Sequence, residues 1–225
     1  MKQGLKGSVI ALSVLAIGVF AVRGAAAAVV DYVGYAYETG GLVPSDPGDQ
    51  LAVACTVSQI DPLFQVDLGT QEATLFIEGL VSQGATVNQT TGTATTLYTG
   101  GTIAVYASFD HNHDWGVSPP NPTAPSTFID GDLVFMGDFT SFTLVMQASG
   151  SGVFQGTIDA TGGTALAGPC SDCSYTIAGT FNDLTGANIP AGYDLQVDGI
   201  LDVDSAVDNE NISWGDLKSQ FSAGN

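Results

Sequence analysis

The stretch Tyr193–Asp204, YDLQVDGILDVD, alternates between apolar and polar side chains over its whole length. One set of alternate positions holds Tyr, Leu, Val, Gly, Leu and Val, and the other holds four Asp, one Gln and one Ile. A period of two residues is that of a β-strand with one face in a core and the other in water. The stretch therefore predicts a strand at the surface of an amphipathic sheet.

Weaker copies of this pattern recur along the chain, separated by Gly, Pro, Asp and Ser. Strands at this spacing, with almost no helical periodicity, predict an all-β domain, and we expect a single antiparallel β-sandwich of jelly-roll type. The further predicted strands are Val30–Glu38, Gln50–Val57, Leu63–Leu68, Ala73–Val81, Ala85–Thr90, Thr95–Tyr98, Thr102–Phe109, Asp132–Met136, Phe139–Gln147, Gly152–Asp159 and Tyr175–Phe181.

One short helical turn is predicted near the C-terminus. Ser213-x-x-Asp216 resembles a capping box with Asp in place of Glu, and Trp214, Leu217 and Phe221 follow at helical spacing. Such a turn is expected to dock on the β-domain, and a sorting or partner-docking tag is the alternative.

The N-terminal residues 1–28 have the features of a secretory signal peptide of bacterial type. Lys2 and Lys6 precede the apolar run Ser8–Val22, and the small residues Ala25–Ala28 then offer cleavage sites. The run is short for a membrane span of about 20 residues, so we favour cleavage over an uncleaved anchor. The sequence thus predicts a secreted, extracellular domain over residues 29–225, with the periplasm as the alternative location and with no membrane span after cleavage.

Removal of the signal would leave an extremely acidic chain. Three of the four basic residues lie in the predicted signal, and the remaining domain has Lys218 against 23 Asp and Glu, a net charge of −22. A field of this sign repels nucleic acid and anionic membrane surfaces. Nucleic acid is therefore excluded as a partner, and we expect cell-surface or matrix components, with polysaccharide among them.

The densest polar cluster is Asp110–Gly116, DHNHDWG. The D-x-N-x-D spacing is that of the start of an EF-hand calcium loop. Gly116 falls at position seven rather than six, and Asn121 stands where the bidentate Glu belongs, so a complete EF-hand is excluded. The candidate is an improvised Ca²⁺ site whose ligands are Asp110, Asn112, Asp114, Asp130 and Asp132.

The two histidines of the chain, His111 and His113, also have the spacing of transition-metal ligands. A third ligand would have to be Asp, Glu or Cys. The simplest alternative for the whole cluster is a polar strand end that turns into an exposed loop.

Three cysteines limit the redox chemistry. Cys170-x-x-Cys173 follows Gly168-Pro169 in a turn between strands, and an oxidising compartment favours a disulfide over a redox-active pair. We expect Cys170 to pair with Cys173 while Cys55 stays buried on the apolar face of its strand. Pairing of Cys55 with one of the other two is the alternative.

Enzyme motifs were not found. The sequence has no G-x-S-x-G, and its four Glu are scattered without a pair of carboxylates among aromatics. We therefore expect a non-enzymatic structural or binding module at the cell surface or in the matrix, stabilised by Ca²⁺. The alternative is a carbohydrate-binding module in which Trp115 stacks on sugar together with Tyr106 or Tyr98, and a hydrolase is third.

Overall fold

A computed structural model describes residues 28–116, 126–167, 173–183 and 189–204. Almost all of the regular structure in these residues is antiparallel strand, with two short 3₁₀ turns at Pro62–Phe64 and Thr164–Ala167. The strands are β1 (Ala28–Glu38), β2 (Gln50–Ile60), β3 (Glu72–Asn88), β4 (Thr93–Thr99), β5 (Thr102–Ser108), β6 (Asp132–Met146), β7 (Ser151–Gly162), β8 (Ser174–Asn182) and β9 (Leu195–Asp204).

The strands close into an eight-strand antiparallel β-barrel, so the predicted jelly-roll sandwich is wrong. The ring runs β1-β2-β3-β5-β6-β7-β8-β9, and β9 pairs with β1 from Ala28↔Val203 to Ala36↔Leu195. A sandwich needs two separate sheets with free edges, whereas this pairing of the last strand with the first removes the edges.

The ninth strand, β4, is not one of the eight strands that form the continuous ring. It pairs with the C-terminal part of β3 on one side and with the C-terminal part of β6 on the other. β5 occupies the same gap between β3 and β6 at the level of their N-terminal parts. Because Gly100 and Gly101 separate β4 from β5, the two strands follow each other along one line of the barrel wall.

Side chains at alternate positions of each strand point inward and fill the barrel interior. On β9 the buried positions are Leu195, Val197, Gly199, Leu201 and Val203, so the alternation predicted for this stretch is confirmed. On β7 the positions from Gly152 to Ile158 alternate in the same way.

A small apolar cavity remains between these side chains. Its volume is about 10 Å³, and Tyr32, Ile77, Phe142 and Phe154 contribute to its wall. Such a space is close to the size of one water molecule and far below the roughly 300 Å³ of a small-ligand site. The Tyr32 hydroxyl is buried there without a hydrogen-bond partner among the described residues.

Several predicted strand boundaries are corrected. Leu63–Leu68 is not a strand, because Asp61 caps a 3₁₀ turn over Pro62–Phe64 through its side chain. Ala73–Val81 joins with residues 85–88 in the long strand β3, and Asp132–Met136 joins with Phe139–Met146 in β6. The long strands bend at glycines or at shifts of register rather than ending there.

The predicted signal peptide (residues 1–27 of it) and the predicted C-terminal helical turn at 213–221 lie outside the described residues. The described part of the chain contains no helix with the length and apolar character that crossing a bilayer requires.

Candidate functional site

The predicted metal-binding segment Asp110–Gly116 is a loop rather than the end of a strand. β5 ends at Ser108, and residues 111–116 have no regular secondary structure. The loop folds back over the outer face of the barrel, where it contacts Glu72 at the start of β3. Oε1 of Glu72 accepts hydrogen bonds from the backbone N–H of Asn112 at 3.3 Å and of His113 at 3.0 Å.

His113 completes this arrangement. Its Nδ1 lies 2.5 Å from Oε2 of Glu72, so the imidazole and two backbone amides surround one carboxylate. We call Glu72, Asn112 and His113 the Glu72 clamp. The described residues include no Lys and no Arg, so two backbone amides and an imidazole take the place of a basic side chain at this carboxylate.

Trp115 anchors the loop by packing rather than by charge. It lies against Ala54, Phe76 and Phe128, which form a second, smaller core on the outside of the barrel. Its indole N–H donates to the Ala54 carbonyl oxygen at 3.1 Å, and its own carbonyl oxygen accepts from the Tyr193 hydroxyl at 3.1 Å. We call Ala54, Phe76, Phe128 and Trp115 the outer cluster.

The structure brings together only part of the predicted calcium ligands. The Asn112 side-chain amide donates to Oδ2 of Asp130 at 3.0 Å, and Oδ1 of Asp114 accepts from the Gly116 N–H. No group of three or more His, Cys, Asp or Glu side chains within the described ranges is arranged to hold a metal ion. Two metal sites therefore remain predictions without support from this geometry. They are the calcium site at Asp110, Asn112, Asp114, Asp130 and Asp132 and the transition-metal site at His111 and His113.

The predicted stacking platform is not formed as one exposed surface. Tyr98 is 4% exposed and faces the barrel interior, so its ring is not available to a sugar. Trp115 is half-buried in the outer cluster, with His113 edge-on to it at 5.0 Å between ring centroids. Tyr106 is half-buried on β5. The sequence could not reveal which of these rings would share a surface, because Tyr98 and Tyr106 belong to different strands on either side of the Gly100–Gly101 break.

Cys55 is a free, fully buried thiol on β2. Burial raises its pKa well above the ordinary value, and the nearby carboxylate of Asp198 raises it further, so the thiol is held protonated and unreactive. Cys170 lies outside the described residues, and the Cys170–Cys173 disulfide stays a prediction.

A polar network that the sequence analysis missed lies at the C-terminal end of β1. Glu38 is 1% exposed, and its two carboxylate oxygens are 2.5 Å from the Ser45 hydroxyl and 2.9 Å from the Tyr98 hydroxyl. Ser45 contacts the Ser82 hydroxyl at 2.7 Å, and the Gly84 N–H donates to Ser82 at 3.0 Å. We call Glu38, Ser45, Ser82 and Tyr98 the Glu38 network.

The donors of this network have one consistent order when Glu38 is ionised. A carboxylate only accepts, so Ser45 and Tyr98 both donate to it. Ser45 must then accept from Ser82, and Ser82 accepts in turn from the backbone of Gly84. All three hydroxyls of the network therefore donate one hydrogen bond, and the two serine hydroxyls each accept one as well.

The surroundings of the Glu38 carboxylate nevertheless raise its pKa above the ordinary value. Desolvation by burial raises the pKa of Glu38, the hydrogen bonds from Ser45 and Tyr98 lower it in part, and the charges of Asp49 and Asp194 raise it again. Asp194 lies close because its Oδ2 accepts the Glu38 N–H at 2.9 Å, and burial raises the pKa of Asp194 as well. A signal for this network was present in the sequence, since Glu38 continues the inward-facing series of Tyr32 and Ala36.

An open groove lies on the outer face at the level of the Gly100–Gly101 break. Its volume is about 440 Å³, and it extends across β1, β2, β3 and β5. We call it the outer groove, lined by Tyr37, Thr39, Gln50, Leu51, Ala52, Glu78, Gly79, Gly101 and Thr102. The sequence analysis did not find it, although a Gly-Gly pair inside an alternating stretch is a signal for a bulge.

Comparison with known proteins gave no match: no family model fits the chain, and neither a curated protein nor a solved structure is significantly similar to it.

Proposed function

We propose that the chain is an exported, acidic β-barrel module that acts at the cell surface or in the extracellular matrix by binding through its outer face. The observation that carries this proposal is the contrast between the two sides of the barrel wall. The interior holds a cavity of about 10 Å³, whereas the outer groove has about 440 Å³ and is open to solvent.

A hydrolase is the weaker alternative. The Glu38 network contains an acid of raised pKa with three hydroxyls, a set that resembles catalytic machinery. Its members are all 4% exposed or less, so a substrate has no access to them in this conformation. The closed network is better explained as a way to satisfy buried polar groups.

Fractionation of cells that produce the full chain tests the proposal. We expect the protein outside the cytoplasm, with a new N-terminus near Ala28, and bound to washed cell envelopes or extracellular polymer. Retention in the cytoplasm with Met1 intact, or export without any association with envelope or matrix, would refute it.

Calcium remains a secondary part of the proposal, assigned to Asp110 and Asp114. About 10 mM CaCl₂ is a hundredfold excess over an extracellular-type Kd of about 10⁻⁴ M, and it should raise the Tm above that in MgCl₂ of equal ionic strength. The double variant Asp110→Asn/Asp114→Asn should lose this difference. Identical melting curves in the two salts would remove calcium from the proposal.

A further inference from the structure

We propose that the outer groove binds an uncharged polysaccharide, with Tyr37 as the ring that stacks on a sugar and Gln50 and Glu78 as the hydrogen-bonding groups. This inference rests on the proposed function, because it names the ligand class and the residues through which the outer face would bind.

The groove exists because two strands depart from regular pairing at the same level. β3 has an extra residue opposite Ala52, since the pairing shifts from Leu51↔Leu80 to Val53↔Ile77. Gly79 on this bulge and Gly101 before β5 both have positive φ, 74° and 88°. These residues form the floor of the groove, where side chains of an unbroken sheet would otherwise project.

The floor does not tolerate a side chain at Gly101. A Cβ atom there would lie 2.7 Å from Cγ of Leu80 and 2.9 Å from its backbone nitrogen, and both the backbone and the buried Leu80 would have to move. Glycine is therefore required both by the left-handed backbone and by the close approach of the two strands. The depression therefore follows from the backbone course of β3 and of the Gly101 turn.

Several polar side chains of the groove make no hydrogen bond inside the protein. Within the part of the chain that the structure describes, no hydrogen bond engages the side chains of Tyr37, Gln50, Glu78 or Thr102, although Glu78 interacts electrostatically with Tyr106. Thr39 differs, because its hydroxyl oxygen accepts the Gln50 N–H at 2.8 Å. An amide, a carboxylate and hydroxyls beside a half-buried tyrosine ring combine directional hydrogen bonding with an apolar surface.

Charge restricts the ligand class. The groove contains Glu78 and no cationic side chain, and the described residues have neither Lys nor Arg. Anionic polysaccharides, phosphorylated ligands and nucleic acids would be repelled by this surface. A single carboxylate is also too few ligands for a bare metal ion.

The barrel topology disfavours a peptide. Extended peptides commonly bind by adding a strand to a free sheet edge. Here the strands that form the groove, β1, β2, β3 and β5, are all paired on both sides inside the closed ring. A neutral chain of hydroxyl-rich rings satisfies the amide, carboxylate and aromatic groups without needing an edge or a positive charge.

Affinity electrophoresis of the mature protein in gels that contain soluble neutral glucans, galactans or mannans tests the inference. We expect at least one of these polymers to retard the protein, with little change between about 0.05 and 0.5 M NaCl, because an uncharged ligand is not subject to screening. Binding only to a polycation, lost on addition of salt, would show a charge effect and overturn the assignment.

Matched variants locate the site. Tyr37→Ala and Gln50→Ala should each weaken binding about tenfold, the loss expected for one good stacking or hydrogen-bond contact. Gln59→Ala on β2 and Thr180→Ala on β8, both exposed on the outer face away from the groove, are the controls, and we expect both to bind within about twofold of the wild type. Equal losses in the controls, or none in the groove variants, would overturn the assignment.

A variant that fills the groove removes no existing contact. Ala52 lies on the groove wall, and Ala52→Phe should abolish retardation while the Tm stays close to that of the wild type. Unchanged binding by Ala52→Phe would also contradict the inference. If no neutral polysaccharide binds but the protein still associates with envelope or matrix, the groove assignment fails and the broader proposal stands. Loss of both would refute both.

Discussion

Glu38 and Glu72 show two ways in which a chain almost without cations accommodates a hydrogen-bonded carboxylate. Glu38 is fully buried and is held by the hydroxyls of Ser45 and Tyr98. Glu72 lies on the outer face and is held by two backbone amides and the imidazole of His113. The Glu38 side chain has no access to water, whereas the Glu72 side chain is 10% exposed and that of its partner His113 is 36% exposed, so water reaches the second arrangement from the His113 side.

This difference in solvent access decides what each carboxylate contributes to stability. Removing one partner of a buried hydrogen bond leaves the other unsatisfied, which costs far more than the net value of the bond itself. At the surface, water takes the place of the lost partner, and exposed ion pairs contribute little. The Glu38 network should therefore affect the folding of the whole barrel, while the Glu72 clamp should affect the position of one loop.

Substitution of the two glutamates by alanine should give the largest contrast. Glu38→Ala leaves the hydroxyls of Ser45 and Tyr98 without their acceptor and should lower the free energy of unfolding by about 2–4 kcal/mol. Glu72→Ala should lower it by about 1 kcal/mol or less. Urea denaturation followed by circular dichroism measures both losses. Equal losses would show that the two carboxylates contribute alike to stability.

The pH dependence of stability is the second test. The folded-state pKa of Glu38 is raised above its ordinary value of 4.5, so its contribution to stability is present in full below that pH and is lost as the pH rises through the folded-state pKa. The Tm of the wild type should therefore fall as the pH increases from 4.5 toward neutrality, and the raised pKa of Asp194 acts in the same direction.

Glu38→Gln isolates the part of this pH dependence that belongs to Glu38. The amide cannot titrate and retains the size of the side chain, so the Tm of this variant should fall less steeply over the same pH range. Parallel Tm curves for the variant and the wild type would show that Glu38 does not titrate in the folded state.

Trp115→Ala tests whether the outer loop is held by packing or by charge. Trp115 is half-buried and loses its contacts with Phe76 and Phe128, so a loss of about 2 kcal/mol is expected, below the range for a fully buried tryptophan. Cleavage near residue 115 under limited proteolysis should increase more in this variant than in Glu72→Ala. The reverse order would show that the Glu72 clamp holds the loop.

A double-mutant cycle on Glu72 and His113 should give the smallest effect. With Glu72→Gln and His113→Gln, the coupling energy should be about 0.2–1 kcal/mol, and it should shrink in high salt because the pair lies near the surface. A larger, salt-independent coupling would place the clamp in the same class as the Glu38 network.

The sequence predicted most strands of the barrel but not its closure. Alternation along Tyr193–Asp204 reports that one face of the strand is buried, and β9 has that face where expected. It does not report what lies opposite that face, which is a second sheet in a sandwich and the rest of the same sheet in a barrel. The pairing of β9 with β1 decides between them, and it joins residues more than 150 positions apart.

The candidate site was predictable only where its chemistry is local. The segment Asp110–Gly116 was identified by its composition, and the structure does place Asn112 beside Asp130. Trp115 was expected to be exposed, yet its partner Ala54 lies 61 residues earlier, on a strand that no spacing rule connects to the loop. The Glu38 network also depends on distant turns, since Ser45 and Ser82 meet only because the barrel brings their backbones together.

The hydrogen-bonded pairing of the first and last strands has a consequence for how the chain acquires its structure. Synthesis delivers β1 long before β9, and until β9 is available the growing sheet has an unpaired edge at β1. Such an edge can recruit a strand from a neighbouring molecule. The acidic side chains along the sequence repel other copies of the chain during this interval. The same negative charge that limits the choice of ligand therefore also protects the partly formed sheet from self-association.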